Sequence, residues 1–158
     1  MAKIKIAVAG CLGRMGQELS KQIIKNNKLE FIGGFEHKKH KDINKQFKNV
    51  SDINSIKIIE NNPTNSIKAA NVMIDFTTPQ STLENVKIAS QNKTAVIIGT
   101  TGMTESQKKK VKSYAKKIPI LMSSNMSIGV NLLFNLVRQT AHALKAVSYT
   151  HLTLPTKA

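Results

Sequence analysis

The stretch Val8-Ala9-Gly10-Cys11-Leu12-Gly13-Arg14-Met15-Gly16 sets three glycines between a strand pattern and a helix pattern. Before it, Lys3 to Ala9 alternates and then turns wholly apolar, as a strand entering a buried sheet does. After it, Arg14 to Lys25 places Met15, Leu19, Gln22 and Ile23 on neighbouring turns of one helix. Strand, glycine turn and helix in this order are the context a dinucleotide fingerprint requires, although the spacing is G-x-x-G-x-x-G and not the commoner G-x-G-x-x-G. The physical demands are similar. Gly10 permits the tight turn, Gly13 lets backbone approach a pyrophosphate, and Gly16 lets the helix pack close to the strand. The free N–H groups and the positive end of the helix then face the phosphates.

Outward from the glycines, Glu30 to Glu36 reads as a second strand that ends in an acid. A carboxylate about twenty residues past the fingerprint can accept hydrogen bonds from the adenosine ribose hydroxyls of NAD. His37, Lys38 and Lys39 follow and could instead attract a 2′-phosphate, so charge alone leaves the choice between NAD and NADP open.

The rest of the chain repeats the strand-then-helix rhythm. Lys38 to Ser55 is polar and lysine-rich and is expected to be a loop with a short helix; Ile56 to Ile59 is a candidate short strand. Val72 to Phe76 predicts a buried strand, and Pro79 opens a helix running to about Gln91, where its missing N–H costs nothing. Ala95 to Ile98 predicts a strand and Gly99 to Gly102 the turn after it. Thr104 starts a further helix, with Thr-Glu-Ser-Gln as cap and first turn. Ile118 to Met122 predicts a strand and Ser127 to Ala146 a long, apolar-rich helix. The fold class expected is α/β: a Rossmann-type parallel sheet with helices on both faces and right-handed crossovers, forming a dinucleotide-binding domain over residues 1–146.

Ligands bind such sheets beyond the carboxyl ends of the strands. Besides the glycine turn, three loops fall there: Asp75-Phe76-Thr77-Thr78-Pro79, Gly99-Thr100-Thr101-Gly102 and Ser123-Ser124-Asn125-Met126-Ser127. One such loop could be capping chemistry; four on one edge favour a shared crevice.

Composition removes other classes. The net charge of +15 raises the possibility of a nucleic-acid binder. Its lysines, however, are scattered among asparagines and isoleucines, and arginine occurs only at Arg14 and Arg138. The densest cluster, Lys108-Lys109-Lys110 with Lys112, Lys116 and Lys117, spreads around one helix and reads as a solvated surface. No nucleic-acid partner is expected. No apolar run approaches the ~20 residues of a membrane span, no signal peptide is expected ahead of the first strand, and Cys11 is the single cysteine. The expected setting is cytoplasmic, without membrane contact and without a metal site.

At this point the motifs reach a family. VAGCLGRMG at 8–16, FE at 35–36, IDFTTPQST at 74–82, VIIGTTG at 96–102 and SNMSIGVNLL at 124–133 occur in this order, and together the chain resembles the dihydrodipicolinate (4-hydroxy-tetrahydrodipicolinate) reductases from about Lys3 to Ala146. The resemblance implies that Gly10, Cys11, Leu12, Gly13, Arg14 and Met15 cradle the pyrophosphate of NAD(P)H and that Glu36 holds the adenosine ribose. It implies that Gly99, Thr100 and Thr101, with Ser123, Ser124, Asn125 and Met126, lie near the nicotinamide. In members that use NADP an arginine commonly follows the acid; here that position is His37, which favours NADH, although Arg14, Lys38 or Lys39 could face a 2′-phosphate. The intact enzyme implied is a homotetramer of lysine (diaminopimelate) biosynthesis. It transfers hydride to a cyclic dicarboxylate substrate.

The family also carries a second, catalytic domain with a His-His-x-x-Lys-x-Asp motif. This sequence lacks the motif: its histidines are His37, His40, His142 and His151, none adjacent to another. His142 reads as a packed or surface helix residue. The second domain is therefore expected to be missing, no catalytic residue is assigned, and negligible turnover is expected of the chain alone. Residues 147–158 do not match the family and read as an artefactual or disordered tail; the other reading is a natural, frayed terminus. Three rivals remain. Another two-domain dehydrogenase would lack the ordered motif set, a stand-alone NAD(P)-sensing module would bind cofactor tightly without catalysis, and a nucleic-acid binder would show steep salt dependence.

Overall fold

The computed structural model describes residues 2–123 and 125–151. The chain forms two compact units, Met1–Ser124 and Asn125–Ala158.

The first unit is built on a six-stranded sheet: β1 (Ile4–Ala9), β2 (Leu29–Phe35), β3 (Ile59–Glu60), β4 (Val72–Asp75), β5 (Ala95–Ile98) and β6 (Ile120–Met122). All neighbours pair in parallel, in the order β3-β2-β1-β4-β5-β6. The chain grows outward from β1 to β3 on one side, then returns to β4 on the other. The reversal makes the β1/β4 boundary a topological switch point, where the loops leaving adjacent strands diverge and open a crevice.

Alternation along the strands builds a core on each face. On one, Met73, Val96 and Ile98 pack with Ile67, Val86, Ala89 and Val111, which come from α2 (Pro63–Ala69), α3 (Pro79–Asn92) and α4 (Glu105–Tyr114). On the other, Ile6, Val8 and Ile74 pack with Ile23 of α1 (Arg14–Lys25) and with Phe47, Ile53 and Ile59. The Rossmann-type expectation thus holds, helices on both faces included.

The short helix expected within residues 38–55 is present as a 3-10 turn at Phe47–Asn49, while the strand expected at Ile56 to Ile59 is displaced, β3 covering only Ile59–Glu60. Residues 38–55 are tied down, because Phe47 and Ile53 are buried and Phe47 meets Phe31 edge-on at 5.2 Å between ring centroids. Burying such side chains is worth about 1.5–3 kcal/mol each, enough to hold a stretch whose other residues are polar. Helix α2 was not anticipated: at seven residues it is too short for periodicity to register. Its signal is Asn62-Pro63, with Asn62 Oδ1 accepting from the Thr64 N–H at 3.0 Å and proline at the first helical position. The capping reading at Thr104 holds in full. Thr104 Oγ1 accepts from the Gln107 N–H, and the Gln107 side chain accepts from the Thr104 N–H.

In the second unit, α5 (Ile128–His151) begins after a cap in which Ser127 Oγ accepts from the Val130 N–H. The helix continues past Ala146, where a tail was expected to begin. The remainder of that tail, residues 152–158, lies outside the described residues. Leu132, Leu133, Phe134, Leu136, Val137 and Leu144 on α5 are all more than half exposed. Among the described residues no helix is long and apolar enough to cross a membrane.

Candidate cofactor site

The glycine turn leaves β1 at the switch point. Gly10 adopts φ +72°, and a Cβ there would sit 2.7 Å from the Phe76 carbonyl oxygen. A Cβ on Gly16 would meet the Gly10 carbonyl oxygen at 2.1 Å, so α1 can lie this close to the turn only with glycine at 16. Gln17 Nε2 donates to the Leu12 carbonyl at 2.8 Å and pins the turn to the helix.

Only some amides of the turn are free to face a ligand. The N–H groups of Gly10 and Cys11 both donate to the Phe35 carbonyl, that of Leu12 to Glu36 Oε2 at 3.2 Å, and that of Gly13 to the Gly10 carbonyl. Among the described residues, the amides of Arg14, Met15 and Gly16 have no hydrogen-bond partner. Gly13 caps α1 without a side chain, and the first turn carries no acid. This bare end combines orphan donors with the positive pole of the helix dipole, a fit for a phosphate group. Arg14 and Met15 are exposed beside it.

Cys11 faces away from this surface. Its side chain is buried against Gly34, and burial first, then the neighbouring Glu36 charge, pushes the thiol far above its ordinary pKa. Only its backbone remains to line the turn. Glu36, at the end of β2, lies within reach of the glycines: Oε2 takes the Leu12 amide and Oε1 that of His37 at 3.1 Å. Its remaining lone pairs suit vicinal hydroxyls. His37, Lys38 and Lys39 are exposed next to it.

Across the switch point, the loops after β4 and β5 are joined. Asp75 is fully buried at the end of β4. Its Oδ1 accepts from the Thr77 N–H at 3.0 Å and Thr77 Oγ1 at 2.6 Å, and the hydroxyl oxygens of Thr82 and Thr100 lie within hydrogen-bond distance of it at 3.2 and 3.3 Å; Oδ2 accepts from Asn85 Nδ2 at 2.9 Å. Sequence reasoning quoted Asp75 and Thr77 within a loop but assigned none of Asp75, Thr77, Thr82 and Asn85 to the site. A carboxylate in an otherwise apolar strand was the available signal. Thr100 is buried in this cluster while Thr101 is exposed. The Gly99 N–H donates to the Asp75 carbonyl at 2.9 Å. Ser123 closes the row, its N–H on the Ile98 carbonyl at 3.1 Å. Ser124 lies outside the described residues. Asn125 and Met126 belong to the second unit, where Asn125 Oδ1 accepts from the Ser127 N–H at 2.8 Å.

A parallel sheet in this order, with a glycine turn, an uncapped helix and an acid on the next strand, defines a nucleotide-binding domain of the Rossmann class. The family model for the N-terminus of dihydrodipicolinate reductase matches residues 4–126, and the chain belongs to that family. The 4-hydroxy-tetrahydrodipicolinate reductase of Pelagibacter ubique is 40% identical over 144 residues, which are 91% of this chain and 52% of that protein. The solved dipicolinate-bound dihydrodipicolinate reductase of Paenisporosarcina sp. TG-14 is 26% identical with a TM-score of 0.72, covering 88% of this chain and 54% of that one. Homoserine dehydrogenase from S. aureus, at 17% identity and a TM-score of 0.58 over 78% of this chain and 33% of its own, shares the fold alone. The chain spans about half the length of the curated relatives it matches.

Proposed function

We propose that this chain is the cofactor-holding part of a 4-hydroxy-tetrahydrodipicolinate reductase and that it binds NAD(P)H, with NADH favoured. The observation that carries the reading is the bare N-terminus of α1 beside Glu36 at the switch point. When bound, the nicotinamide supplies hydride to a cyclic dicarboxylate. This chain's residues bind and orient. The turn from Gly10 to Met15 takes the pyrophosphate, and Glu36 the adenosine ribose hydroxyls, where a 2′-phosphate would meet its negative charge. Gly99, Thr100, Thr101 and Ser123 are assigned to the nicotinamide side; for Ser124, Asn125 and Met126 the same role rests on the family resemblance alone. Residues 1–146 make up the cofactor-binding domain and 147–158 a tail without a role. The intact enzyme is a cytoplasmic homotetramer, and the chain alone turns over negligibly because no His-His-x-x-Lys-x-Asp motif is present.

Titration of the chain with NADH and NADPH, read by nicotinamide fluorescence, tests this. NADH is expected to bind more tightly than NADPH. Glu36→Gln is expected to weaken NADH about tenfold, as loss of charge-assisted hydrogen bonds does, and to narrow the gap. Equal binding of both cofactors, unchanged in the variant, would remove Glu36 from the site; no binding of either would remove the function.

A further inference from the structure

We propose that Asp75 is a positioning residue that sets the nicotinamide-side wall of the crevice; this rests on the cofactor reading above. A dinucleotide anchored by Glu36, just after β2, and by the turn after β1 must cross the switch point, so its other half lies over the ends of β4 and β5. The two loops there, 76–78 and 99–102, meet through one buried carboxylate.

The proton count shows how the cluster is wired. Thr82 has one hydroxyl proton, and the shorter contact sends it to Thr100 Oγ1 at 2.8 Å. Thr100, having accepted it, gives its own proton to Asp75 Oδ1, and so does Thr77. Asn85 on α3 fills Oδ2. The Thr77 N–H, 3.2 Å from Thr100 Oγ1, links the loops directly. No lysine or arginine pairs with Asp75 among the described residues. A carboxylate so placed holds its site only while its donors stay in place, so it locks both loops together. With the Thr100 hydroxyl spent inward, the loop presents Thr101 outward.

In Asp75→Asn, the new Nδ2 meets the Asn85 Nδ2, donor against donor. Asn85→Asp added to it restores an acceptor there. The experiment compares the affinities of the full chain for NADH and for ADP-ribose, which lacks the nicotinamide. D75N is expected to weaken NADH at least tenfold and ADP-ribose less than twofold, and D75N/N85D to recover NADH to within threefold of wild type. Equal losses for both ligands, no loss for either, or a double variant as weak as D75N would overturn the proposal. If D75N does not fold, the isosteric Thr82→Val reads the same point by withdrawing the proton from Thr100. It is expected to weaken NADH and spare ADP-ribose, and the reverse or an equal loss overturns the idea. A wild-type chain that binds neither ligand instead defeats the cofactor reading itself.

Discussion

Cys11 sits within the fingerprint, yet its side chain is fully buried and turned away from the ligand surface. Its thiol is buried and its pKa is raised from an ordinary 9.0, chiefly by burial and then by Glu36. The unfolded chain therefore loses the thiol proton at a lower pH than the folded one. Stability from this group is fully present below about pH 9 and is lost as pH rises beyond it. The loss approaches about 1.4 kcal/mol per pH unit. Urea unfolding of wild type and Cys11→Ala should show their stability difference drifting toward the variant between about pH 9 and 10.5. A parallel pH dependence of the two proteins would show that the thiol ionises freely in the fold.

At the scale of elements, the site depends on how closely α1 approaches the turn that precedes it. The contact is backbone against backbone, so no side-chain rotamer can relieve a Cβ placed 2.1 Å from the Gly10 oxygen. Gly16→Ala, a change that favours helix by about 1 kcal/mol in isolation, is expected to destabilise the protein by more than about 2 kcal/mol. Chemical denaturation measures it. A neutral or stabilising result would mean that α1 can move off the turn without cost. NADH binding should fall with the same substitution, since the orphan amides of Arg14 and Met15 belong to the displaced turn of helix.

For the whole molecule, the binding surface proposed lies mainly in the first unit, on loops after β1, β2, β4, β5 and β6. Shortening the chain to residues 1–146 should leave the NADH dissociation constant within about twofold of that of the 158-residue chain. A larger loss, read by the same fluorescence titration, would give residues 147–158 a role in the fold or the site. The exposed apolar residues of α5 make self-association worth following in the same samples by light scattering.

The sequence by itself determined the βα order, the glycine turn, the acid ending β2 and the capping box at Thr104, because each depends on local spacing or backbone chemistry. Periodicity over ten or more residues also placed α1, α3 and α4. Only the tertiary structure decided the rest. Short helix α2 exists because Ile67 has a core to enter, and residues 38–55 are held by Phe47 and Ile53 for the same reason. The amides of Gly10, Cys11 and Leu12 are taken up by the end of β2, a partner more than twenty positions away, which leaves the free donors on α1. The Asp75 cluster joins residues 75, 77, 82, 85 and 100, contributed by two strand ends and a helix. Pairings of that kind arise only when the parallel sheet brings the ends of β4 and β5 side by side, and no one-dimensional spacing encodes them.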